Sequence, residues 1–117
     1  MDSRTGMIGY LEAGLKVAQL RGKAIAGNIA NLNTPGYRRL AAKFSEQLEK
    51  ALASGKPDAL AGELFRPMNT EIGADGNDVD LDMEVGEMIE NSAMYKTYMR
   101  VLAKTYRQME LAMRSQL

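Results

Sequence analysis

The chain of 117 residues contains no cysteine, no histidine and no tryptophan. Without Cys there is no disulfide framework and no thiol nucleophile. Without His there is no imidazole base and none of the usual zinc ligand sets, so most familiar catalytic centres are ruled out by inventory. Aromatic residues are scarce too, with two Phe and five Tyr making up 6% of the chain. That disfavours a core built around rings and favours helices packed on aliphatic and Met side chains. Long apolar runs are absent: no stretch approaches the ~18 consecutive apolar residues that a membrane helix needs. The opening segment MDSRTGMIGYLEAGLKVAQLRGK has no basic stretch followed by a long apolar run, because Glu12 and Lys16 interrupt it, so no cleavable secretion signal is expected. What remains, 45% hydrophobic and 26% charged residues, fits one small folded domain.

Net charge is lacking as well. Fifteen basic residues balance fifteen acidic ones, which leaves no whole-chain electrostatic argument for binding nucleic acid or an anionic membrane. The charges are nevertheless segregated: residues 1–43 carry +5, residues 44–92 carry −9 and residues 93–117 carry +4. A solvated surface accounts for much of this, and complementary patches would also favour ordered head-to-tail association between copies.

The strongest pattern lies at the C-terminus. Val85, Met88, Ser92, Tyr95, Met99, Leu102, Tyr106, Met109 and Met113 recur at spacings of three and four. A heptad seam of this length predicts one helix over roughly 81–116 with a narrow apolar stripe that seeks other helices. Asp78, Asp80 and Asp82 stand where an acidic cap and first turn belong, and Arg107 and Arg114 lie towards the opposite end. The N-terminal third repeats the spacing in Ile8, Leu11, Leu15, Ala18, Gly22, Ile25, Ile29 and Leu32, which predicts a second helix over roughly 4–32. Gly14, Ala18, Gly22, Ala26 and Ala30 fall every four residues and form a ridge of small side chains that lets a neighbouring backbone come close. The cost is propensity, since each helical Gly is ~1 kcal/mol worse than Ala.

Between these segments the signals are weaker. NLNTPGYRR ends the first helix, because the residue before Pro35 is pushed out of the helical region and Pro-Gly marks a turn. Residues 41–53 (AAKFSEQLEKALA) predict a short helix with Phe44, Leu48, Ala51 and Leu52 on one face, stopped by Ser54-Gly55-Lys56-Pro57. Residues from there to Asn77 read as loop or weakly ordered extension. The expected fold class is all-α: two long terminal helices packed as a coiled-coil-like hairpin, with a short helix and an extended or weakly ordered middle segment. Residues 1–37, 38–78 and 79–117 are its three parts, together one structural domain. Six of the nine Met residues fall in the last helix, and Met suits surfaces that accept slightly different neighbours. Much of the apolar surface is thus expected to face other chains.

Several chemical readings fail on the residues. An EF-hand-like register from Asp78 places Met83 at the required Gly and Ile89 at the bidentate Glu. Arg38, Arg39 and Lys43 form a basic cluster too small for useful nucleic-acid affinity, and read better as a solvated or inter-subunit face. The glycines make neither a dinucleotide fingerprint nor a phosphate-binding loop. No enzyme activity, cofactor, metal, small-molecule substrate or nucleic-acid partner is expected.

The stretch Ala30-Asn31-Leu32-Asn33-Thr34-Pro35-Gly36-Tyr37 resembles the ANxxTPGY signature of the flagellar axial proteins, the rod, hook and hook-associated subunits. Gly76-Asn77-Asp78-Val79-Asp80-Leu81-Asp82-Met83-Glu84, leading into the Met- and Tyr-rich helix, narrows the resemblance to proximal rod subunits of the FlgB type. The two ends that carry it make up about two thirds of the chain. The resemblance implies a structural subunit of the basal-body rod in the periplasm. Its terminal helices would pack with other copies and other rod proteins around a channel, and it would be exported uncleaved through the flagellar type III apparatus. It also implies that Phe44 and Leu48, in Phe-Ser-Glu-Gln-Leu, match the Phe-x-x-x-apolar motif recognised by the export gate.

Residue by residue, Asn31 and Asn33 are expected to bond backbone groups freed at the helix end, and Tyr37 to bury its ring with the hydroxyl wet, giving a rigid elbow. Ile8, Leu11, Leu15, Ile25 and Ile29 are expected to pack against Tyr95, Met99, Leu102, Tyr106 and Met109 within or between subunits, with Ala18 and Gly22 facing the closest neighbour. Gly22→Leu is expected to block polymerisation and spare secretion. The alternative is a small dimeric helical adaptor or regulator that folds with its own copy alone.

Overall fold

The structure is a computed structural model that describes residues 3–53 and 62–115. Two long helices dominate it, α1 (Ser3–Ala30) and α3 (Leu81–Arg114). Between them come strand β1 (Ala41–Phe44), helix α2 (Glu46–Ala53) and strand β2 (Gly62–Phe65). The long helices are antiparallel neighbours: Asn28, near the end of α1, bonds Glu84 in the first turn of α3, while Met7 meets Thr105. The chain is a predominantly helical hairpin, as expected, and the ends of its long helices fall within two residues of those expected wherever the described residues reach.

The small sheet was not anticipated. β1 and β2 pair antiparallel, with Ala41 opposite Phe65 and Phe44 opposite Gly62. The expected helix over 41–53 therefore begins only at Glu46, and Phe44 ends a strand instead of sharing a helical face with Leu48. The physical reason is tertiary. β1 lies along α1, with Ala42 buried and its carbonyl accepting from Arg21 Nη2 at 3.1 Å. β2 sits so close to α1 that a Cβ at Gly62 would lie 3.2 Å from Leu20 and Val17 side-chain carbons. Ser45 then starts α2, its carbonyl accepting from Glu49 N. The expected stop at Ser54–Pro57 lies outside the described residues.

The core is narrow and lies along α1. Leu11, Ala13, Val17, Ala18, Ala24 and Ile25 are buried, with Ala42 from β1 beside them. Two stripes of α1 are therefore covered, one holding Leu11, Ala18 and Ile25, the other Ala13, Val17 and Ala24. On α3 the buried residues are Glu84, Asn91 and Thr105, all polar or charged.

The molecule measures 67 × 26 × 16 Å with a radius of gyration of 18.0 Å, against about 13 Å for a compact domain of this length. Its accessible surface of 7893 Å² exceeds the roughly 6,300 Å² typical of a monomer of this mass. No described helix is long and apolar enough to cross a membrane.

Candidate functional site

The two sequence signatures meet at the closed end of the hairpin. α1 ends with ordinary turns, Asn31 N donating to Gly27 O and Thr34 N to Asn31 O. Asn31 Nδ2 adds a bond to Gly27 O at 2.8 Å, and Thr34 Oγ1 donates to Asn31 Oδ1. Asn31 thus bonds a carbonyl that already accepts its own backbone N–H, not a freed one, and Asn33 is exposed. The carbonyls of this turn are also reached from the far signature. Asn77 Nδ2 lies 2.8 Å from Asn31 O, 3.2 Å from Leu32 O and 2.9 Å from Thr34 O, capping the helix end across more than forty residues of sequence. Close approach is possible because two glycines face each other. Gly36 and Gly76 both have positive φ (75° and 83°), and a Cβ on Gly76 would stand 3.3 Å from Gly36 Cα. Gly36 N donates to Asp75 O at 2.8 Å, closing the junction.

Beneath this junction lies a buried polar network. Asn28, with no exposed surface, uses all of its capacity: Nδ2 donates to Leu40 O and Glu84 Oε1, and Oδ1 accepts from Leu40 N and the Tyr37 hydroxyl. The expectation of a wet Tyr37 hydroxyl is therefore corrected in detail, since the hydroxyl donates inward to Asn28 at 2.9 Å. Burial raises the Tyr37 pKa, partly opposed by Arg66, with the Glu84 and Asp78 carboxylates adding to the rise.

Arg39 is the centre of the network and the largest correction to the sequence reading. It is 1% exposed rather than part of a solvated basic cluster. Its Nε donates to Glu84 Oε1 at 2.7 Å, Nη2 to Glu87 Oε2 at 2.9 Å and Nη1 to Asn69 Oδ1 at 3.1 Å. Its backbone N donates to Asp78 Oδ1. Three carboxylates of the acidic run therefore converge on this one residue, and Asp80 caps α3 by accepting from Met83 N. Of the other two cluster members, Arg38 lies 3.7 Å from Asp78 Oδ2 and Lys43 pairs with Glu63 at the surface. Charge pairing across the sequence could have suggested Arg39, but nothing local separates it from its neighbour Arg38.

Along the hairpin the helices meet through a heptad of α3 that the sequence reading missed. Glu84, Asn91, Tyr98 and Thr105 recur every seven residues. They meet, in order, Asn28; the Ala18 carbonyl, on which Asn91 Nδ2 donates at 2.9 Å; Gly14; and Met7. At Gly14 the small ridge admits a neighbour, because a Cβ there would fall 2.8 Å from Tyr98 Cζ. Gly22 faces Asn91, whose Nδ2 would stand 3.6 Å from an added Cβ. Ala26 and Ala30 of the ridge are exposed. The neighbour that the ridge admits inside the chain is α3.

Half of the expected apolar seam, Val85, Ser92, Met99 and Tyr106, stands one residue on from this heptad, roughly 100° of helix rotation, and the other half, Met88, Tyr95, Leu102 and Met109, stands four residues on, roughly 40°. Tyr95, Leu102 and Met109 are half-buried, whereas Val85, Met88, Ser92, Met99, Tyr106 and Met113 are exposed. On α1, Leu11, Ala18 and Ile25 are buried, and Ile8, Leu15, Gly22 and Ile29 half-buried. Tyr106 donates to Glu12 Oε1 at 2.8 Å, a bond that raises its pKa. Phe44 stacks on Tyr10 with ring centroids 6.3 Å apart, and Tyr10 meets Tyr98 edge-on. Leu48 belongs to α2, and its side chain lies outside the described residues.

Comparison with known proteins agrees with this geometry. The profile of the family described as "Flagella basal body rod protein" matches residues 11–38, the buried part of α1 and the elbow. Flagellar basal body rod protein FlgB of Aeromonas hydrophila is 33% identical, over 76% of this chain and 78% of its own length. Its counterpart from Borrelia hermsii is 25% identical over 86% and 90% respectively, and that of Escherichia coli K12 24% identical over 88% and 89%.

Proposed function

The chain belongs to the FlgB family of flagellar basal body rod proteins, structural components of the basal body, and on that premise we propose that it builds the proximal rod by packing its two long helices against other copies and other rod proteins. In this reading it performs no chemistry. The assembled helices surround the export channel and transmit torque through the periplasm, and the subunit arrives there uncleaved through the flagellar type III apparatus, with Phe44 and Leu48 as its export-gate contact.

One observation carries the proposal. Much of the apolar seam of α3 is left uncovered by the chain: among the described residues, ten of the sixteen exposed large apolar residues are on this helix, Met88, Met99, Tyr106 and Met113 among them. A stripe that long is an interaction surface. The small ridge of α1, open at Ala26 and Ala30, offers a second face for close packing, and the elbow fixes how the two faces are presented.

The test is genetic. Deleting the gene is expected to abolish swimming and leave basal bodies without a rod. Restoring it with Met99→Asp, a surface change that leaves the folded chain intact, is expected to return secreted subunit and no motility. Normal swimming after deletion, together with a discrete, sharply melting dimer in dilute solution, would instead favour the adaptor reading.

A further inference from the structure

The inward heptad of α3 and its apolar seam compete for one partner. Each repeats with a seven-residue period, so either could line the contact with α1. The seam carries Met88, Tyr95, Met99, Leu102, Tyr106 and Met109, and apolar burial by itself favours it. The line that α1 meets is nevertheless Glu84, Asn91, Tyr98 and Thr105. Glu84 is held in the first turn by Asn28 and Arg39. Beyond Asn91, α3 runs on for about 35 Å, and among the described residues no ion pair joins it to α1.

Asn91 is the first residue of α3 past that turn to bond the backbone of α1. Its Nδ2 donates to the Ala18 carbonyl at 2.9 Å, and Gly22 leaves it room, since an added Cβ there would stand 3.6 Å from the same nitrogen. Its Oδ1 is buried and has no hydrogen-bond partner among the described residues. A buried acceptor left without a donor works against stability, so stability does not account for an amide at this position. Buried polar groups between helices are best attested as fixing how the two helices meet. Met88 and Met94, three residues before and after, stand about 60° to either side of Asn91. Both are 39% exposed, while Asn91 itself is 8% exposed. Asn91 therefore faces α1 squarely. Met88 lies on the seam side, and Met94 borders the groove that Ile25 and Phe65 also line. A roll of α3 that buried more of the seam would cover Met88 and uncover Met94.

Resting on the rod-subunit reading, we propose that Asn91 is the positioning residue that keeps the apolar seam of α3 turned away from α1, and so leaves it open to neighbouring subunits. Its bond to the Ala18 carbonyl fixes the roll of α3 beyond the first turn, against the pull of apolar burial. Tyr98, seated over Gly14, carries the same orientation one heptad further on. The unmet Oδ1 is the cost of specifying a direction with an amide where an apolar side chain would specify none.

The chain has no cysteine, so Met88→Cys and Met94→Cys each supply a single thiol at an exposed position, with or without Asn91→Ala. Labelling by N-ethylmaleimide is timed by mass spectrometry on the purified full chain, with helicity checked by circular dichroism. With Asn91 in place, the two thiols are expected to react at similar rates. In Asn91→Ala a roll of about 60° would put position 88 where Asn91 now stands, 8% exposed instead of 39%, so labelling there is expected to fall by up to about fivefold. Position 94 is expected to label no more slowly, and the urea midpoint to stay near that of the wild type. A ratio between the two thiols that is unchanged, or that moves the other way, overturns the proposal. So do two thiols that speed up together, the mark of a loosened helix, and an Asn91→Ala chain that does not fold. In a motile host Asn91→Ala is expected to be secreted and to swim poorly; normal swimming with a shifted ratio overturns the role in assembly. These outcomes leave the rod reading standing, whereas absence of the wild-type chain from basal bodies overturns that reading.

Discussion

The two ends of the hairpin are held by different physics. At the closed end, Arg39, Asn28, Asp78 and Glu84 are almost fully buried and joined by directional bonds, while glycines and a long-range cap from Asn77 fix the backbone. At the open end, the contacts between α1 and α3 include the Tyr98 ring over Gly14, Thr105 on Met7, and Tyr106 reaching Glu12 at the surface. Met99, Tyr106 and Met113 there are exposed. A buried network tolerates one geometry, because each displaced partner leaves an unpaired charge. A thin apolar contact tolerates many. The closed end therefore sets a shape, and the open end leaves apolar surface exposed, which suits the packing with neighbouring subunits proposed above.

Substitutions break or sharpen this contrast. The largest effect belongs to Arg39→Met, which leaves the Glu84 carboxylate without its cationic partner at zero exposure. A loss of about 3–5 kcal/mol is expected in urea unfolding of the full chain, and a loss below about 1 kcal/mol would mean that the closed end is not the anchor. Next comes Asn77→Ala. It removes the amide that reaches three carbonyls just past α1, two of which keep a backbone donor, and a loss of about 1–3 kcal/mol is expected, with faster amide exchange around residues 31–36.

At the open end Gly14→Ala should do far less in spite of the 2.8 Å approach. Ala improves helix propensity by about 1 kcal/mol. The obstructing atoms are the far end of a half-buried Tyr98 ring that can swing away, so the net change should stay within about 1 kcal/mol in the same unfolding measurement. A large loss here would erase the difference between the two ends.

The smallest effect is alkaline. Burial raises the pKa values of Tyr37 and Tyr98, so the unfolded chain gives up these protons at a lower pH than the folded one. Stability from this source is complete below pH ~10 and falls as pH rises through the raised folded values. A titration followed by circular dichroism should show the decline beginning near there, and Tyr37→Phe should remove part of it.

Legibility followed the same division. The long helices, the turn at Thr34-Pro35-Gly36 and the acidic cap of α3 are written in local spacing and capping chemistry, and the structure places them within a residue or two. The seam was legible as a stripe but not as a direction. Val85, Met99 and Tyr106 carry the apolar signal, yet inside the chain α1 meets Glu84, Asn91, Tyr98 and Thr105, one residue round the helix. Hydrophobic periodicity cannot tell a face that seeks its own chain from one that seeks another. The strand at Ala41–Phe44 was hidden for a related reason, since AAKF has no strong strand pattern and becomes one only beside Val17, Leu20 and its partner at Gly62–Phe65. The burial of Arg39 depends on carboxylates thirty-nine to forty-eight residues away.

By itself, then, the sequence determined the two helices, the elbow that ends α1 and the lack of cysteine and histidine chemistry, because helix periodicity, caps, turn residues and side-chain inventory act over a few neighbours or none. Tertiary structure alone decided which stripe of α3 turns inward, that Arg39 and Asn28 become a buried lock, and that four residues before α2 extend into a strand. Those outcomes depend on groups brought together from distant parts of the chain, where burial and pairing outweigh local preference.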